Sequence, residues 1–265
     1  MNLMKIIALF IASIIVYEVF LQNSPFANGI TPMVYDAQIG MWHKRNFSNY
    51  IIKNCYKNQY YFDDLGRVKN NYKYDIDKRD IVILGDSQIE ALGVENKSVI
   101  HNSLFKEIGG KFNVLNYGLA GTGPSQQLII LKNKVKLKNI DTLVQLVFLE
   151  NDLNDGDPNN LEGVNRPKVY LEFEGYGDFR IIMPKKYDYK EKLRDYIGKF
   201  ELYVYLKKTF YHYKKLFSKN EAFSSVKETI EEPFISNEKY KWKQLEGAIY
   251  QTKQLAINNN LSVIR

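Results

Sequence analysis

Apolar runs and amphipathic stretches alternate along the middle of the chain. Three apolar runs predict buried strands, at 81–84, 112–118 and 141–152. The stretches between them, 96–110 and 123–139, have helical spacing, and glycines at 109 and 110 and a proline at 124 provide stop and start signals. Strands that alternate with helices through short connections predict right-handed crossovers and a parallel sheet, so the fold class is α/β.

The pattern changes after Asp152. In order, it predicts a loop, a β-hairpin at 166–184, a helix over 187–217, a polar connector at 219–232, a helix over 236–260 and a strand that begins at 261. The main domain is therefore expected at 79–265, with an insertion at about 160–235. Residues 23–78 are rich in Asn, Tyr and Lys without clear periodicity, which indicates an irregular lead-in.

The helix expected over 187–217 has an apolar face made by Leu202, Leu206, Phe210, Tyr213 and Phe217, with lysines between these positions. Two interpretations fit this pattern. Either the helix packs on the domain, or its basic and aromatic surface rests on a membrane.

The amino terminus carries an almost wholly apolar run from Ile6 to Leu21, in which Glu18 is the only charged residue. As a helix it would span roughly 24 Å at about 1.5 Å per residue, close to the thickness of a bilayer core. Residues 1–22 are therefore expected to be a single transmembrane anchor, with Lys5 and Glu18 reaching opposite interfaces. Lys5 indicates that the rest of the chain lies outside the cytoplasm. A cleaved signal peptide is the alternative.

Composition narrows the class of protein. The chain has 265 residues, 45% of them apolar, which suffices for one large domain. A net charge of +7 is spread over short runs without a nucleic-acid-binding motif, so no nucleic-acid partner is expected. The single cysteine, Cys55, excludes an intrachain disulfide, and three histidines without a ligand-type spacing predict no metal or other cofactor.

Polar and glycine-rich turns follow each of the three predicted strands. They are Gly85-Asp86-Ser87, the segment 116–126 (NYGLAGTGPSQ) and the segment 149–155 (LENDLND). Because parallel strands present their carboxyl ends at one edge of the sheet, these turns are expected to form a common site. A serine at a strand-to-helix turn has an exposed hydroxyl, and its N–H lies near a helix N-terminus.

These three motifs, in this order, resemble the SGNH hydrolases, also called the GDSL family of esterases and lipases. The resemblance covers Asp80 to about Asp155. It implies a three-layer α/β/α flavodoxin-like sheet in which Ser87 is the nucleophile. Gly118, through its N–H, and Asn151, through its amide, would stabilise the oxyanion. Leu149 stands where the family usually has glycine.

The resemblance implies a bacterial ester hydrolase acting on O-acyl groups, acetyl in the first place, of cell-surface glycans. With the anchor at residues 6–21, it would be a single-pass inner-membrane protein with its catalytic domain in the periplasm or outside the cell. Transfer of the acyl group to another sugar is one alternative. A noncatalytic SGNH-like domain that binds glycan or an envelope partner is another.

The three motifs do not include the general base that a serine nucleophile needs. The family supplies it from a late Asp-x-x-His motif, which the chain lacks. His43, His101 and His212 are expected to be surface or packing residues. Because 261–265 has the pattern of a core strand, the sequence suggests a truncated form of a longer hydrolase, with a weakened catalytic apparatus.

Overall fold

The computed structural model describes residues 3–23, 32–53, 56–157, 167–174, 177–183 and 232–264, together with scattered residues between 193 and 213. Cys55, His212, Phe217 and most of the expected connector lie outside these residues. The chain divides into two compact units. The smaller comprises 1–31, 50–57 and 187–230, and the larger comprises 32–49, 58–186 and 231–265.

The larger unit is built on a parallel sheet. Its strands are β5 (Asp80–Leu84), β6 (Asn113–Asn116), β7 (Ile140–Gln145) and β10 (Ser262–Ile264), in the spatial order β10-β7-β5-β6. All three neighbouring pairs are parallel. After β5, the chain first forms β6 on one side of β5 and then crosses back to form β7 on its other side. The carboxyl ends of β5 and β7 therefore flank the point where the connections diverge.

Among the described residues of the larger unit, five helices accompany these strands. They are α2 (Ser87–Glu90), α3 (Ile100–Glu107), α4 (Pro124–Lys134), α5 (Leu149–Asp155) and α6 (Glu232–Asn258), with 3-10 turns at Asn96–Ser98 and Leu137–Asn139. Pro124 begins α4, as predicted, since its missing N–H costs nothing at a helix start. Gly109 and Gly110 end the α3 region with positive φ angles of 64° and 65°, which glycine adopts readily. The α/β prediction is thus confirmed.

The third predicted strand is shorter than the apolar run suggested. β7 ends at Gln145, and residues 149–155, expected to be the end of the strand and the turn that follows it, form helix α5. The carboxylate of Asp152 explains the early start of this helix, because its Oδ2 accepts the N–H of Phe148, the N-cap residue, at 2.8 Å. Asn151 is consequently carried by a helix and not by a loop.

The lead-in also differs from its prediction of irregular structure. It contains β1 (Met33–Asp36), β2 (Gly40–His43), β3 (Ser48–Lys53) and β4 (Tyr56–Tyr61). β1 pairs antiparallel with β2, and β3 pairs with β4 in a second two-stranded sheet. Trp42 of β2 is 3% exposed and packs into the main core with Leu84 and Leu128. The hairpin β8 (Tyr170–Phe173) with β9 (Phe179–Ile182) was predicted and is present.

The smaller unit contains helix α1 (Leu3–Asn23), which is long and apolar enough to cross a membrane. Its best 18-residue window, Met4–Leu21, has a mean hydropathy of 2.2 and is almost entirely exposed. Glu18 was expected to reach towards an interface, but it is buried and its Oε2 accepts the N–H of Leu202 at 2.9 Å. This bond satisfies the one carboxylate in the apolar run. Leu206, Phe210 and Tyr213 of the expected basic helix are exposed.

Candidate active site

Ser87 is the first residue of the short helix α2 and is exposed at the carboxyl end of β5. The preceding Asp86 caps this helix, because its Oδ1 accepts the N–H of Gln88 at 2.9 Å. Gly85 makes the turn possible. A Cβ at this position would lie 2.2 Å from Cγ1 of Ile89, so only glycine lets the helix fold back on the strand end. The serine hydroxyl is thereby presented to solvent.

Gly118 follows β6 and lies against the same helix. A Cβ on Gly118 would come within 2.3 Å of the backbone nitrogen of Glu90, so a glycine is required for this packing. The N–H of Gly118, which the family resemblance assigns to the oxyanion hole, donates to Oδ1 of Asn116 at 2.8 Å. In this conformation that donor is engaged within the protein.

Asn116 organises the second turn and was not singled out by the sequence. Besides accepting from Gly118, its side-chain amide donates to the carbonyl oxygen of Ile89 at 2.7 Å and lies 3.2 Å from Nδ1 of His101. The residue is fully buried. Hydrogen bonds of Asn116 thus connect the end of β6 to α2. In the sequence, only its position just before Tyr117-Gly118 indicated a role in a turn.

Asn151 connects the segment after β7 to the turn after β5 by a hydrogen bond. Its Nδ2 lies 3.2 Å from Oδ2 of Asp86 and 3.3 Å from Oδ2 of Asp155, so the amide donates between two carboxylates. Both bonds are long for an N–H donor, so a developing oxyanion can compete for this amide. Its Oδ1 is buried and has no hydrogen-bond partner among the described residues.

Asp152, at this edge of the sheet, has a carboxyl group with a raised pKa. Burial raises the pKa of its carboxyl to about 7, and the neighbouring charges of Asp86 and Asp155 act in the same direction. The side chain is 1% exposed, and its Oδ1, like that of Asn151, finds no partner in the described part of the chain. Lys168 offsets part of the negative charge, since its Nζ lies 3.1 Å from Oδ1 of Asp155.

Both described histidines serve packing, as the sequence predicted. His43 is buried, with Nδ1 2.9 Å from the carbonyl oxygen of Gly66 and Nε2 2.6 Å from Oε1 of Glu90. His101 is buried between the carbonyl oxygen of Lys69 and the amide of Asn116. Burial lowers the pKa of His101 to about 4, so its ring is neutral near pH 7. Neither ring has a nitrogen free to receive a proton from Ser87.

The structure thus brings the three predicted turns together at one sheet edge. Ser87 is exposed there. Asn151 is hydrogen-bonded to Asp86, the residue before Ser87, and Gly118 packs against α2. The sequence did not reveal the acidic surroundings of Asn151, because Asp86 and Asp155 are 69 positions apart and meet only in the fold. Within the described ranges, no group of three or more His, Cys, Asp or Glu side chains is arranged to hold a metal ion.

Comparison with known proteins adds no assignment. No family model matches the chain, and no curated protein matches it significantly.

Proposed function

We propose that the chain is a membrane-anchored serine ester hydrolase of the SGNH type that acts on O-acyl esters of cell-surface glycans, outside the cytoplasm. The observation that carries this proposal is the 3.2 Å contact between Asn151 and Asp86. It joins the turn after β5 to the helix after β7, at the point of the sheet where ligands of open α/β folds bind. Ser87, next to Asp86, is exposed at the same point.

The strand order supports the finer fold assignment. Numbered along the chain, β6-β5-β7-β10 is the order 2-1-3-4, which is also that of the first four strands of flavodoxin-like sheets. The family implied by the sequence motifs has this kind of sheet.

The proposed reaction begins when Oγ of Ser87 attacks the ester carbonyl carbon. The carbonyl oxygen becomes negative, and the N–H of Ser87 and the amide of Asn151 are the donors proposed to stabilise it. The carbon–oxygen bond to the alcohol then breaks, and the alcohol leaves with the proton that the Ser87 hydroxyl has lost. Water cleaves the acyl–serine ester, which gives the carboxylic acid and restores the hydroxyl of Ser87. Loss of one oxyanion donor typically lowers the rate by about 10²–10³.

A noncatalytic SGNH-like binding domain is the second candidate. The engagement of both described histidines favours it, because a serine nucleophile needs a base to take its proton. The engagement of the Gly118 N–H by Asn116 also favours it.

Hydrolysis of aryl acetates by the purified full chain distinguishes the two candidates. Ser87→Ala should lower turnover at least about 10³-fold, while Ser103→Ala, at an exposed serine on α3, should leave it unchanged. Asn151→Ala should lower turnover with the fold intact. Equal turnover by wild type and Ser87→Ala would contradict the hydrolase proposal and leave the binding domain.

A further inference from the structure

The smaller unit carries a group of exposed aromatic and apolar side chains. The described residues between Leu202 and Phe210 are helical, so Leu206 and Phe210, four positions apart, lie on one face of a helix. These two side chains are 57% and 68% exposed. With further exposed side chains of the same segment they form what we call the aromatic patch: Tyr196, Phe200, Tyr205, Leu206, Phe210 and Tyr213. Exposed apolar groups that cluster in this way mark interaction surfaces.

A hydrogen bond joins this segment to helix α1 within the smaller unit. The N–H of Leu202 donates to Oε2 of Glu18 at 2.9 Å. Phe200 is not helical, so Leu202 lies near the beginning of the helical stretch, where backbone N–H groups have no acceptor within the helix. Glu18 lies three positions before the end of the apolar window Met4–Leu21, about 5 Å along the helix axis. The helical stretch therefore begins near the carboxyl-terminal boundary of the membrane-length segment.

The composition of the segment suits the boundary between lipid and water. Tyrosine has an apolar ring and a polar hydroxyl, and aromatic side chains are enriched at both membrane interfaces. Lys207 is exposed between Leu206 and Phe210. Residues 202–219 include five lysines and no aspartate or glutamate. Such a basic segment is attracted to anionic lipid headgroups.

We propose that the aromatic patch lies on the surface of the bilayer that α1 spans, with Lys207 against anionic headgroups. The inference rests on the membrane anchoring that is part of the proposed function, and it adds a second, peripheral contact. Of the two sequence interpretations of this segment, the exposed face favours the one in which the helix rests on a membrane. A single spanning helix leaves the attached unit free to tilt, whereas a second contact beside it restricts that motion.

The test measures how close labelled positions lie to lipid. Single cysteines in a Cys55→Ser background carry an NBD fluorophore, and the full chain is placed in nanodiscs of phosphatidylcholine and phosphatidylglycerol. Lipids with a nitroxide at a shallow chain position should quench labels at Phe210→Cys and Leu206→Cys, and aqueous iodide should not. The matched control is Ile76→Cys, an exposed apolar side chain between two aspartates, where iodide should quench and the lipid should not. A label at Phe10→Cys, on the exposed surface of α1, should be quenched by deep nitroxides.

The charge of Lys207 is tested in the same nanodiscs. Lys207→Gln should lower the ratio of lipid-contacting to water-exposed Phe210 label about fivefold. Lys106→Gln, at an exposed lysine of α3, should leave this ratio unchanged. Salt at about 1 M, where the screening length is about 3 Å, should have an effect similar to that of Lys207→Gln. Equal ratios in neutral and anionic nanodiscs would overturn the headgroup contact.

The label at Phe10 separates failure of this inference from failure of the anchor. Patch labels that iodide quenches as strongly as the Ile76 label, with the Phe10 label in lipid, would overturn the surface contact and leave the spanning helix. Patch labels shielded from both quenchers would also overturn it, because another protein or a second copy of the chain would then cover the patch. A Phe10 label outside lipid would overturn the anchoring and the inference together. None of these measurements depends on ester turnover, so the proposed hydrolysis is tested independently.

Discussion

Nε2 of His43 lies 2.6 Å from Oε1 of Glu90, and both side chains are buried. Nδ1 of the same ring faces the carbonyl oxygen of Gly66, which can only accept, so Nδ1 carries a proton. The ring also stacks on Phe62, with centroids 3.9 Å apart. Since Glu90 is the last residue of α2, this contact fixes the helix that begins with Ser87 to the lead-in segment.

Glu90→Ala should therefore destabilise the protein strongly. It would leave Nε2 of His43 buried without its hydrogen-bond partner, a change that typically costs about 1–3 kcal/mol. The control is Glu95→Ala, which removes an exposed ion pair with Lys97 and should change stability by less than about 1 kcal/mol. Urea unfolding of the full chain in detergent measures both. Similar losses for the two variants would contradict a structural role for the buried pair.

Gly118→Ala should also destabilise the chain, because the added methyl group would press on the backbone of α2. Overpacking of this kind typically costs about 1–3 kcal/mol. Gly177→Ala is the matched control, since a Cβ there meets nothing within 4 Å. Thermal unfolding should show a lower Tm for the first variant only. A Gly118→Ala protein as stable as wild type would mean that α2 does not need this close approach.

Asp152→Asn should make stability less dependent on pH. In the folded protein the pKa of Asp152 is about 7, against an ordinary value of 3.8, so the folded state keeps a proton that the unfolded state loses. The contribution of Asp152 to stability is therefore full below about pH 4, falls as pH rises towards 7, and is constant above that. The variant retains an oxygen to accept the Phe148 N–H. Its Tm should exceed that of wild type at pH 8 by more than at pH 4.5. An equal difference at both pH values would argue against the raised pKa.

Helix α1 should hold the protein in a membrane. Alkaline washing should leave the full chain in the membrane fraction, whereas Ile11→Arg combined with Ile15→Arg should release it. Each arginine at the centre of a spanning helix opposes insertion by about 2.5–3.5 kcal/mol. A reporter fused after Arg265 should be active outside the cytoplasm. Activity only inside the cytoplasm would contradict the proposed sidedness.

The parts predicted well from the sequence are those with strong local signals. The apolar run before Gly85 and the proline that opens α4 each specify an element without help from distant residues. The lead-in strands were missed because β1, β2 and β4 are short and mix polar with aromatic residues, so they show no clear alternation. The long-range packing of Trp42 into the main core holds β2 in place, and no local pattern predicts it.

The candidate site was predicted in outline but not in its electrostatics. Strand polarity alone puts the turns containing Ser87, Gly118 and Asn151 at one edge. The pairing of His43 with Glu90 joins residues 47 positions apart, and no local pattern indicates it. The raised pKa of Asp152 likewise depends on burial, which a sequence pattern cannot supply.

Covalent labelling of Ser87 tests the central claim most directly. The full-length protein is treated with a fluorophosphonate probe, and the modified peptide is identified by mass spectrometry. We expect one adduct per chain, on Ser87, that Ser87→Ala abolishes and Ser103→Ala does not. Folded wild-type protein that remains unlabelled at Ser87, or that is labelled equally in Ser87→Ala, would contradict the assignment of Ser87 as a nucleophile.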